Sequence, residues 1–275
     1  MSSIAVLITA FNRKKHTLSC LERLYKLSED VVVYLVDDNS ADGTSEAVRN
    51  TYPQVNLIKG DGNLFWNRGM CLAWQEAAKK DFDYYLWLND DVILHDSCLM
   101  ELVDCLALTD NKSIISGIIE DRNHGILYGG SDQHKKLIKP NGSLQKISYL
   151  NGNVVMVPKA VYKILGTLDP TYHHDMGDVD YGFRAAANGI SVYATRKAVA
   201  YGEKNPICRE RTSGTTLVKR FKRLYSPLGS NPNLNFYFRR KYKSIFNATG
   251  YYIFQHVLNL MPDKVNTYIF GNKYK

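Results

Sequence analysis

The sequence contains 275 residues, of which 45% are hydrophobic and 23% are charged, and it carries a formal net charge of +8. This composition excludes a disordered chain and favours one large domain, or one domain with an appendage. The positive charge fits anionic lipid surfaces, nucleic acid or phosphorylated small molecules as partners.

The cysteines and the N-terminus indicate a cytoplasmic protein. The five cysteines are odd in number and lack the two-residue gap of a zinc knuckle or redox motif, so reduced thiols are expected. The first ten residues have neither the basic segment nor the long apolar run of a signal peptide. No stretch reaches the roughly 18 apolar residues that a membrane span requires.

The first part of the sequence alternates strand and helix patterns. Continuous apolar runs predict strands buried on both faces, at residues 4–8, 31–36, 55–58 and 84–88. Apolar residues at helical spacing lie between them, at residues 18–27 and 70–78. This alternation predicts βαβ units with right-handed connections, and therefore an open, doubly wound, mostly parallel sheet.

The later part is less regular. The glycine-rich residues 125–142 predict hairpins and loops, and residues 154–157 predict a strand followed by a short helix that Pro158 opens. A further helix is predicted over residues 178–188, ending at Gly189. From about Arg209, basic and aromatic residues are interleaved. This extension is predicted either to contact an anionic membrane surface or to pack on the first domain with solvated lysines.

Polar residues follow three of the predicted strands. In an open α/β sheet, ligands bind beyond the carboxyl ends of the strands. Strand one leads into residues 9–13, strand two into residues 37–40 and strand four into residues 89–91. The group around Asp38 also fits a simple turn with a helix cap, because such side chains bond to local backbone N–H groups.

The acidic step at residues 89–91 indicates a metal site. Asp90 and Asp91 follow an apolar strand, where two adjacent carboxylates repel each other and lose solvation. A divalent cation relieves both costs, and Mg²⁺ or Mn²⁺ is typically held by one or two carboxylates together with substrate phosphates. The step therefore predicts a cation held against a nucleotide diphosphate.

The loop at residues 60–69 is a second candidate for ligand binding. Gly60 and Gly62 permit close approach of the backbone to a ligand, while Trp66 suits a sugar or base and Arg68 suits a phosphate. The loop lacks the Gly-Lys-Ser/Thr ending of a phosphate loop. The sequence also lacks the Gly-x-Gly-x-x-Gly dinucleotide pattern after strand one. The alternative is an ordinary connection from strand to helix, with Trp66 in the core.

Residues 173–184 form a third group. Asp178 and Asp180 open the predicted helix, where its dipole favours negative charge, and Asp180 lies one turn before Arg184 and fits a salt bridge. The adjacent His173 and His174 face different ways and make a poor metal pair. One carboxylate of this group is predicted to act as a general base.

Taken in order, these motifs resemble the inverting glycosyltransferases of family 2, which have the GT-A fold. The resemblance covers residues 4 to about 201. The motifs are most similar to those of the branch that contains rhamnosyltransferases. It implies that Thr9 and Phe11 line the nucleotide pocket, that Asp38 bonds the base, and that Asp91 binds Mn²⁺ or Mg²⁺. Further contacts to the nucleotide sugar are assigned to Arg13, Asn63, Trp66, Arg68, Asn89 and Asp90.

On the acceptor side, the resemblance makes Asp178 the general base, with Asp180 and His174 in acceptor or secondary roles. Two positions depart from the family pattern. Asn89 stands where the metal motif has its first Asp, and Gly177 stands where a Glu precedes the base. Some relatives supply a late His to the metal, and this sequence has no clear equivalent near Tyr201.

The resemblance implies a GT-A catalytic domain at residues 1–208, a Rossmann-like, mostly parallel sheet flanked by helices. Its nucleotide-binding half ends near residue 118 and its acceptor-binding half spans residues 119–208, before a helical extension at residues 209–275. The expected reaction moves a sugar, with inversion, from a UDP- or dTDP-sugar to a glycan or lipid-linked glycan during cell-surface polysaccharide synthesis. A cytoplasmic location is expected, peripheral to the inner membrane face if the extension binds lipid.

Two other functions compete with this one. A metal-dependent nucleotidyltransferase would share the sheet and the carboxylates, but it usually has a glycine-rich loop with a basic residue after strand one, which residues 9–13 lack. A non-catalytic carbohydrate or nucleic-acid binder would suit the basic extension. The joint presence of Asp38, Asp91 and Asp178 argues against a degenerate site, so no nucleic-acid partner is expected.

Overall fold

The computed structural model describes residues 3–204, 211–271, 273 and 274. The chain forms two compact units, Met1–Lys204 and Asn205–Lys275. The predicted boundary between residues 208 and 209 lies outside the described residues, as does Cys208. The four described cysteines are buried free thiols, as the sequence predicts.

The first unit begins with alternating strands and helices. The four predicted strands are confirmed, and each is followed or preceded by a helix at the expected place. The third was predicted to be buried on both faces, but it is only half-buried because it lies at the edge of the sheet. The elements are β1 (Ile4–Ala10), α1 (Lys14–Leu27), β2 (Val32–Asp37), α2 (Thr44–Thr51), β3 (Asn56–Lys59), α3 (Phe65–Ala77) and β4 (Tyr84–Leu88).

The remainder of the first unit mixes short strands with helices. Its elements are β5 (Ile93–Leu94), α4 (Cys98–Ala107), β6 (Ile114–Glu120), β7 (Ile126–Tyr128), β8 (Gln145–Lys146), β9 (Val154–Pro158), α5 (Lys159–Leu165), α6 (Gly177–Ala187) and β10 (Val192–Tyr201). The predicted strand before Pro158 and the two helices after it are confirmed. The long strands β6 and β10 are absent from the sequence-based prediction.

A single sheet runs through the first unit in the order β3-β2-β1-β4-β9-β6-β10-β5. Strands β1, β2, β3 and β4 are mutually parallel, and β9 is antiparallel to both of its neighbours, β4 and β6. Strand β10 is parallel to β6. The carboxyl ends of β1, β2, β4, β6 and β10 therefore lie along one edge, where the amino end of β9 joins them.

Helices cover both faces of this sheet. On one face, α3, α5 and α6 contribute Trp74, Val161 and Tyr181 to an apolar cluster. On the other face, α1 and α4 contribute residues such as Leu21 and Leu102. The result is the three-layer α/β arrangement that the apolar strand runs predict, and its polar edge carries the candidate site.

The second unit is helical, as predicted. Its helices are α7 (Leu217–Leu224), α8 (Pro232–Tyr242), α9 (Ile245–Leu260) and α10 (Asp263–Phe270). Across the described parts of the chain, no helix combines the length and the apolar character that crossing a bilayer demands.

Candidate active site

The segment after β1 is tied to the segment after β2. The Asn12 backbone N–H donates to Ser40 Oγ at 2.8 Å, and Asn12 Oδ1 accepts from the Ala41 N–H at 2.8 Å. Phe11, at the tip of this connection, is 52% exposed. Thr9 faces α3 so closely that a Cβ on Gly69 would lie 2.3 Å from its Oγ1. The two predicted pocket residues thus frame the start of the polar edge.

Asp38 organises the loop between β3 and α3. Its carboxylate is buried and accepts three backbone N–H groups, from Gly62 at 2.8 Å, Leu64 at 2.9 Å and Phe65 at 3.0 Å. Phe65 has a φ of 57°, an uncommon value for an aromatic residue, and its bond to Asp38 holds it there. These bonds engage both Asp38 oxygens, so the observed role of this carboxylate is to hold the loop. Its contact with a nucleotide base remains a prediction.

Arg13 bridges the acidic step that follows β4. Its Nη1 lies 2.6 Å from Asp91 Oδ2 and 3.3 Å from Asp90 Oδ1. Asp90 is buried and also accepts from Thr17 Oγ1 at 2.9 Å, and burial raises the pKa of its carboxyl to about 6. The Asp91 side chain retains 20% exposure. Asp90 therefore anchors α1, while Asp91 is the carboxylate that a ligand in solvent can reach.

Asn89 joins Trp66 to the start of β9. Its Oδ1 accepts from Trp66 Nε1 at 2.7 Å, its Nδ2 donates to Asn153 Oδ1, and its backbone N–H donates to the Asn153 carbonyl at 2.9 Å. Both ends of the Asn89 amide are thus engaged by protein groups. This side chain positions the indole rather than presenting an open oxygen to a cation.

Asp178 lies beside the same indole. Its Oδ2 accepts from the Gly152 N–H at 2.9 Å and its Oδ1 from the Val179 N–H at 2.8 Å. A Cβ on Gly152 would lie 2.5 Å from the Trp66 ring and 3.2 Å from Asp178 Cβ, so only glycine allows this close approach. Burial raises the pKa of the Asp178 carboxyl. The predicted donor-side residue Trp66 and the predicted base therefore share one small region.

Asp175 is a second carboxylate in this region, and the sequence analysis assigned it no role. Burial and the nearby negative charge of Asp178 raise its pKa to about 6. His174, the adjacent residue, has a pKa lowered by burial and by the positive charge of Arg13. The segment before α6 therefore approaches both Asp178, the predicted base, and the acidic step at residues 89–91.

Asn67 and Arg68 hold the loop that leads to these residues. Asn67 is buried, and its Nδ2 donates to the carbonyls of Asp169 at 2.8 Å and Tyr172 at 2.9 Å. Arg68 Nε donates to the Pro170 carbonyl at 2.9 Å. A Cβ on Gly177 would lie 1.7 Å from Asn67 Oδ1, so a Glu before Asp178 would require Asn67 to move.

Asp180 is enclosed by protein groups. Its side chain is fully buried and bonds to Arg184 Nε at 2.9 Å and to Tyr172 Oη at 3.1 Å. Arg184 also donates to the Leu165 and Thr167 carbonyls. The salt bridge that the sequence spacing predicts is confirmed, and it leaves Asp180 without access to a substrate in solvent.

Two further residues of the site, Gly152 and Asn153, escaped the sequence analysis. The sequence does contain a signal for them, because Asn151, Gly152 and Asn153 directly precede the apolar β9. An antiparallel strand brings its amino end, not its carboxyl end, to the edge where parallel strands finish. Recognising β9 as antiparallel would have added these residues.

The predicted contact Asn63 is exposed, with its N–H bonded to Asp61 Oδ1 at 2.8 Å.

The donor set fits a divalent cation only in part. Within the described residues, no group of three or more His, Cys, Asp and Glu side chains is arranged to hold a metal ion. Asp91 is one partly exposed carboxylate, and Arg13 occupies one of its oxygens. Mg²⁺ and Mn²⁺ sites that share substrate phosphates need only one or two protein carboxylates. The residues therefore fit a cation that arrives with a phosphorylated ligand.

Comparison with known proteins decides the family. The sequence profile described as Glycosyl transferase family 2 matches residues 5–163, more than half of the chain. The chain belongs to glycosyl transferase family 2. The family prediction is confirmed, and this family 2 protein is a glycosyltransferase.

A curated relative of this glycosyltransferase is the N-acetylglucosaminyl-diphospho-decaprenol L-rhamnosyltransferase of Mycobacterium tuberculosis. The two are 24% identical over 216 residues, which cover 66% of this chain and 70% of the relative. The predicted likeness to rhamnosyltransferases is therefore confirmed at the level of homology.

Solved structures confirm the fold of the glycosyltransferase as GT-A. The mannosyltransferase PcManGT from Pyrobaculum calidifontis, in complex with GDP-Man and Mn²⁺, has a TM-score of 0.57 at 16% identity, over 90% of this chain and 69% of that one. S. aureus TarS 1–349 in complex with UDP-GlcNAc has a TM-score of 0.54 at 14% identity, over 75% of this chain and 60% of that one. This chain spans only 37% of the longer TarS chain.

Proposed function

We propose that this glycosyltransferase moves a sugar, with inversion, from a UDP- or dTDP-linked donor to a hydroxyl of a glycan or lipid-linked glycan. The observation that carries the proposal is the environment of Asp178. Its carboxylate is held by the Gly152 and Val179 N–H groups beside Trp66, on the polar edge that also carries Asp91. A base and a phosphate-facing carboxylate at one edge are what a single displacement requires.

In the proposed reaction, the acceptor hydroxyl oxygen attacks the anomeric carbon from the face opposite the diphosphate. Asp178 accepts the hydroxyl proton as the new C–O bond forms, and the bond from the anomeric carbon to the diphosphate oxygen breaks. The electron pair of that bond leaves on the diphosphate. Burial raises the pKa of Asp178, which makes the carboxylate a stronger base than an exposed aspartate.

Asp91 is the residue proposed to hold Mn²⁺ or Mg²⁺, with the diphosphate oxygens completing the ligands. When bound, such a cation neutralises the charge that builds on the leaving diphosphate. Arg13 now bonds to Asp91 at 2.6 Å, so the two cations compete for one carboxylate. Release of Asp91 leaves the guanidinium free to bind the diphosphate, which agrees with its predicted role in donor binding.

The acceptor is proposed to be a lipid-linked glycan at the cytoplasmic face of a membrane, in cell-surface polysaccharide synthesis. The support is the homologous mycobacterial enzyme, whose name gives a decaprenol-diphosphate acceptor. Asp180 takes no part in this proposal, since Arg184 and Tyr172 enclose it. His174 remains a proposed acceptor-side residue because it belongs to the segment before α6 and is close enough to Arg13 for that charge to lower its pKa.

A donor screen tests the proposal. The full chain is incubated with UDP- and dTDP-sugars and with Mn²⁺ or Mg²⁺, and release of the free nucleotide diphosphate is measured, with Asp178→Asn as the matched blank. We expect release from a small number of donors in the wild type alone. Release of pyrophosphate from a nucleoside triphosphate and a sugar phosphate would instead support the nucleotidyltransferase. Tight donor binding without any turnover would favour the non-catalytic binder.

A further inference from the structure

The net charge of the chain is confined to its C-terminal unit. Residues 205–275 contain 13 Lys and Arg but only two Asp and Glu, a net charge of +11. Residues 1–204 contain 22 Lys and Arg and 25 Asp and Glu, a net charge of −3. The basic character of the protein therefore belongs to the helical unit and not to the catalytic one.

Helix α9 exposes an apolar stripe, which Thr249 and Gly250 interrupt between its first and second members. Phe246, Ile253, Val257 and Leu260 are 86%, 56%, 50% and 58% exposed, and their spacing of seven, four and three residues places them on one face. The stripe extends over about 20 Å of helix. The opposite face of α9 packs inside the unit, where Ala248, Gln255 and Leu258 are buried. Exposed apolar side chains in such a row indicate a surface that a partner covers.

Two helices that carry basic residues pack against α9. Helix α7 packs on α9 through Phe221, whose ring centroid lies 5.8 Å from that of His256. Helix α8 packs on it through Arg239, whose guanidinium lies 3.5 Å from the Tyr251 ring centroid. These two helices and the residue after α8 carry exposed basic residues, namely Lys219, Lys222, Arg223, Arg240, Lys241 and Lys243.

The acidic charge of this unit is neutralised internally. Asp263 is the single Asp or Glu among the described residues from 211 onward. It bonds to Arg211 and to Arg220 Nη2, the latter at 2.7 Å, and these two arginines also donate to the carbonyls at the end of α9. The described surface of the unit therefore presents positive charge without a competing acid.

We propose that the α9 stripe and the exposed basic residues of α7 and α8 form a docking surface for an anionic lipid bilayer. In this arrangement α9 lies along the membrane, the stripe enters the boundary between headgroups and acyl chains, and the basic residues contact anionic headgroups. Charge argues against a second copy as the occupant, since two units of +11 repel each other. The apolar stripe argues against nucleic acid, whose binding rests on charge. This surface does not depend on the proposed reaction.

Vesicle co-sedimentation of the full chain tests the surface. Phosphatidylcholine vesicles with and without 30% phosphatidylglycerol are compared at low and high salt. We expect binding only to the anionic vesicles. Phe246→Ser with Ile253→Ser should weaken that binding at least about tenfold, because apolar insertion is lost. Replacing Lys219, Lys222 and Arg223 with glutamine should cost about fivefold per charge at low salt.

Matched controls come from the catalytic unit. Met100→Ser with Leu108→Ser removes equally exposed apolar side chains, and glutamine at Lys135, Lys136 and Lys139 removes three exposed charges. Neither control should change vesicle binding, and circular dichroism checks that all variants fold. Binding that survives in the Phe246 and Ile253 variant overturns the proposal, as does equal binding to uncharged vesicles. A dimer of the wild type that this variant converts to monomer, without vesicle binding, assigns the stripe to self-association.

Discussion

The two sides of the polar edge differ in how their carboxylates are satisfied. On the donor side, Asp38 is bound by three backbone N–H groups and Asp91 by the guanidinium of Arg13. On the proposed acceptor side, Asp175 lies close to Asp178, neither forms an ion pair within the described part of the chain, and burial raises the pKa of both. The carboxylates of the proposed donor side are thus held by protein groups, whereas the raised pKa values of the proposed acceptor side favour uptake of a proton.

The largest expected effect is on the acceptor side. Asp178→Asn removes the proposed base, so turnover should fall by ~10²–10⁴-fold while the Kd of the donor changes little. Single-turnover kinetics and calorimetric titration with the nucleotide diphosphate measure the two quantities. Turnover close to wild type would show that another group accepts the proton.

Asp180→Asn provides the structural contrast, two residues away. The substitution leaves Arg184 without its buried partner, so the free energy of unfolding should fall by about 3 kcal/mol. Asp178→Asn keeps one acceptor oxygen for two N–H donors, so it should lower the free energy of unfolding by a smaller amount, about 1–2 kcal/mol. Urea denaturation of both variants measures the difference. If Asp180→Asn were stable but inactive, the two acidic residues would have exchanged roles.

Arg13→Met tests how Asp91 is held on the proposed donor side. Removing the guanidinium frees Asp91, so the affinity of the nucleotide-free protein for Mn²⁺ should rise about tenfold. Titration of Mn²⁺ followed by electron paramagnetic resonance measures it, with Lys15→Met as a control of equal charge change at an exposed position. An affinity equal to wild type would mean that Arg13 does not compete with a cation at Asp91.

The smallest expected effect is a pH shift caused by Asp175. The base must be ionised, so activity falls as the pH drops through the raised pKa of Asp178. The charge of Asp178 raises the pKa of Asp175, and repulsion between two carboxylates acts on both, so Asp175→Asn should move this acidic limb slightly to lower pH. A pH profile of kcat/KM measures the shift. A limb that moves to higher pH would contradict the assumed repulsion, and loss of turnover beyond about a hundredfold would make Asp175 the base.

Much of the fold follows from local sequence patterns. Strands β1, β2, β4 and β9 are mostly continuous apolar runs, and β3 contains the apolar pair Leu57 and Ile58, which is why the sequence predicts them. Strand β6 escapes because Ser116 and Gly117 interrupt it, although a Cβ on Gly117 would lie only 2.6 Å from Val199. Strand β10 escapes because Thr195, Arg196 and Lys197 lie at its centre, where its register with β6 shifts.

The site was less predictable, because its interactions join distant parts of the chain. Asp178 is identified by its place at the start of a helix and by family resemblance. The bonds from Asp38 to a loop more than 20 residues later have no local signature. The raised pKa of Asp175 arises from burial, which a single acidic residue in a loop does not reveal.

The close contact of Gly177 with Asn67 also constrains how this enzyme can change. A side chain at position 177 would overlap Asn67 Oδ1, and Asn67 in turn fixes the carbonyls of Asp169 and Tyr172. The two positions are therefore coupled, since any side chain at position 177 would require Asn67 to move or to be replaced by a smaller residue. Such a change would release the Asp169 and Tyr172 carbonyls from Asn67 Nδ2, so the segment before Asp178 would lose two of the hydrogen bonds that hold it.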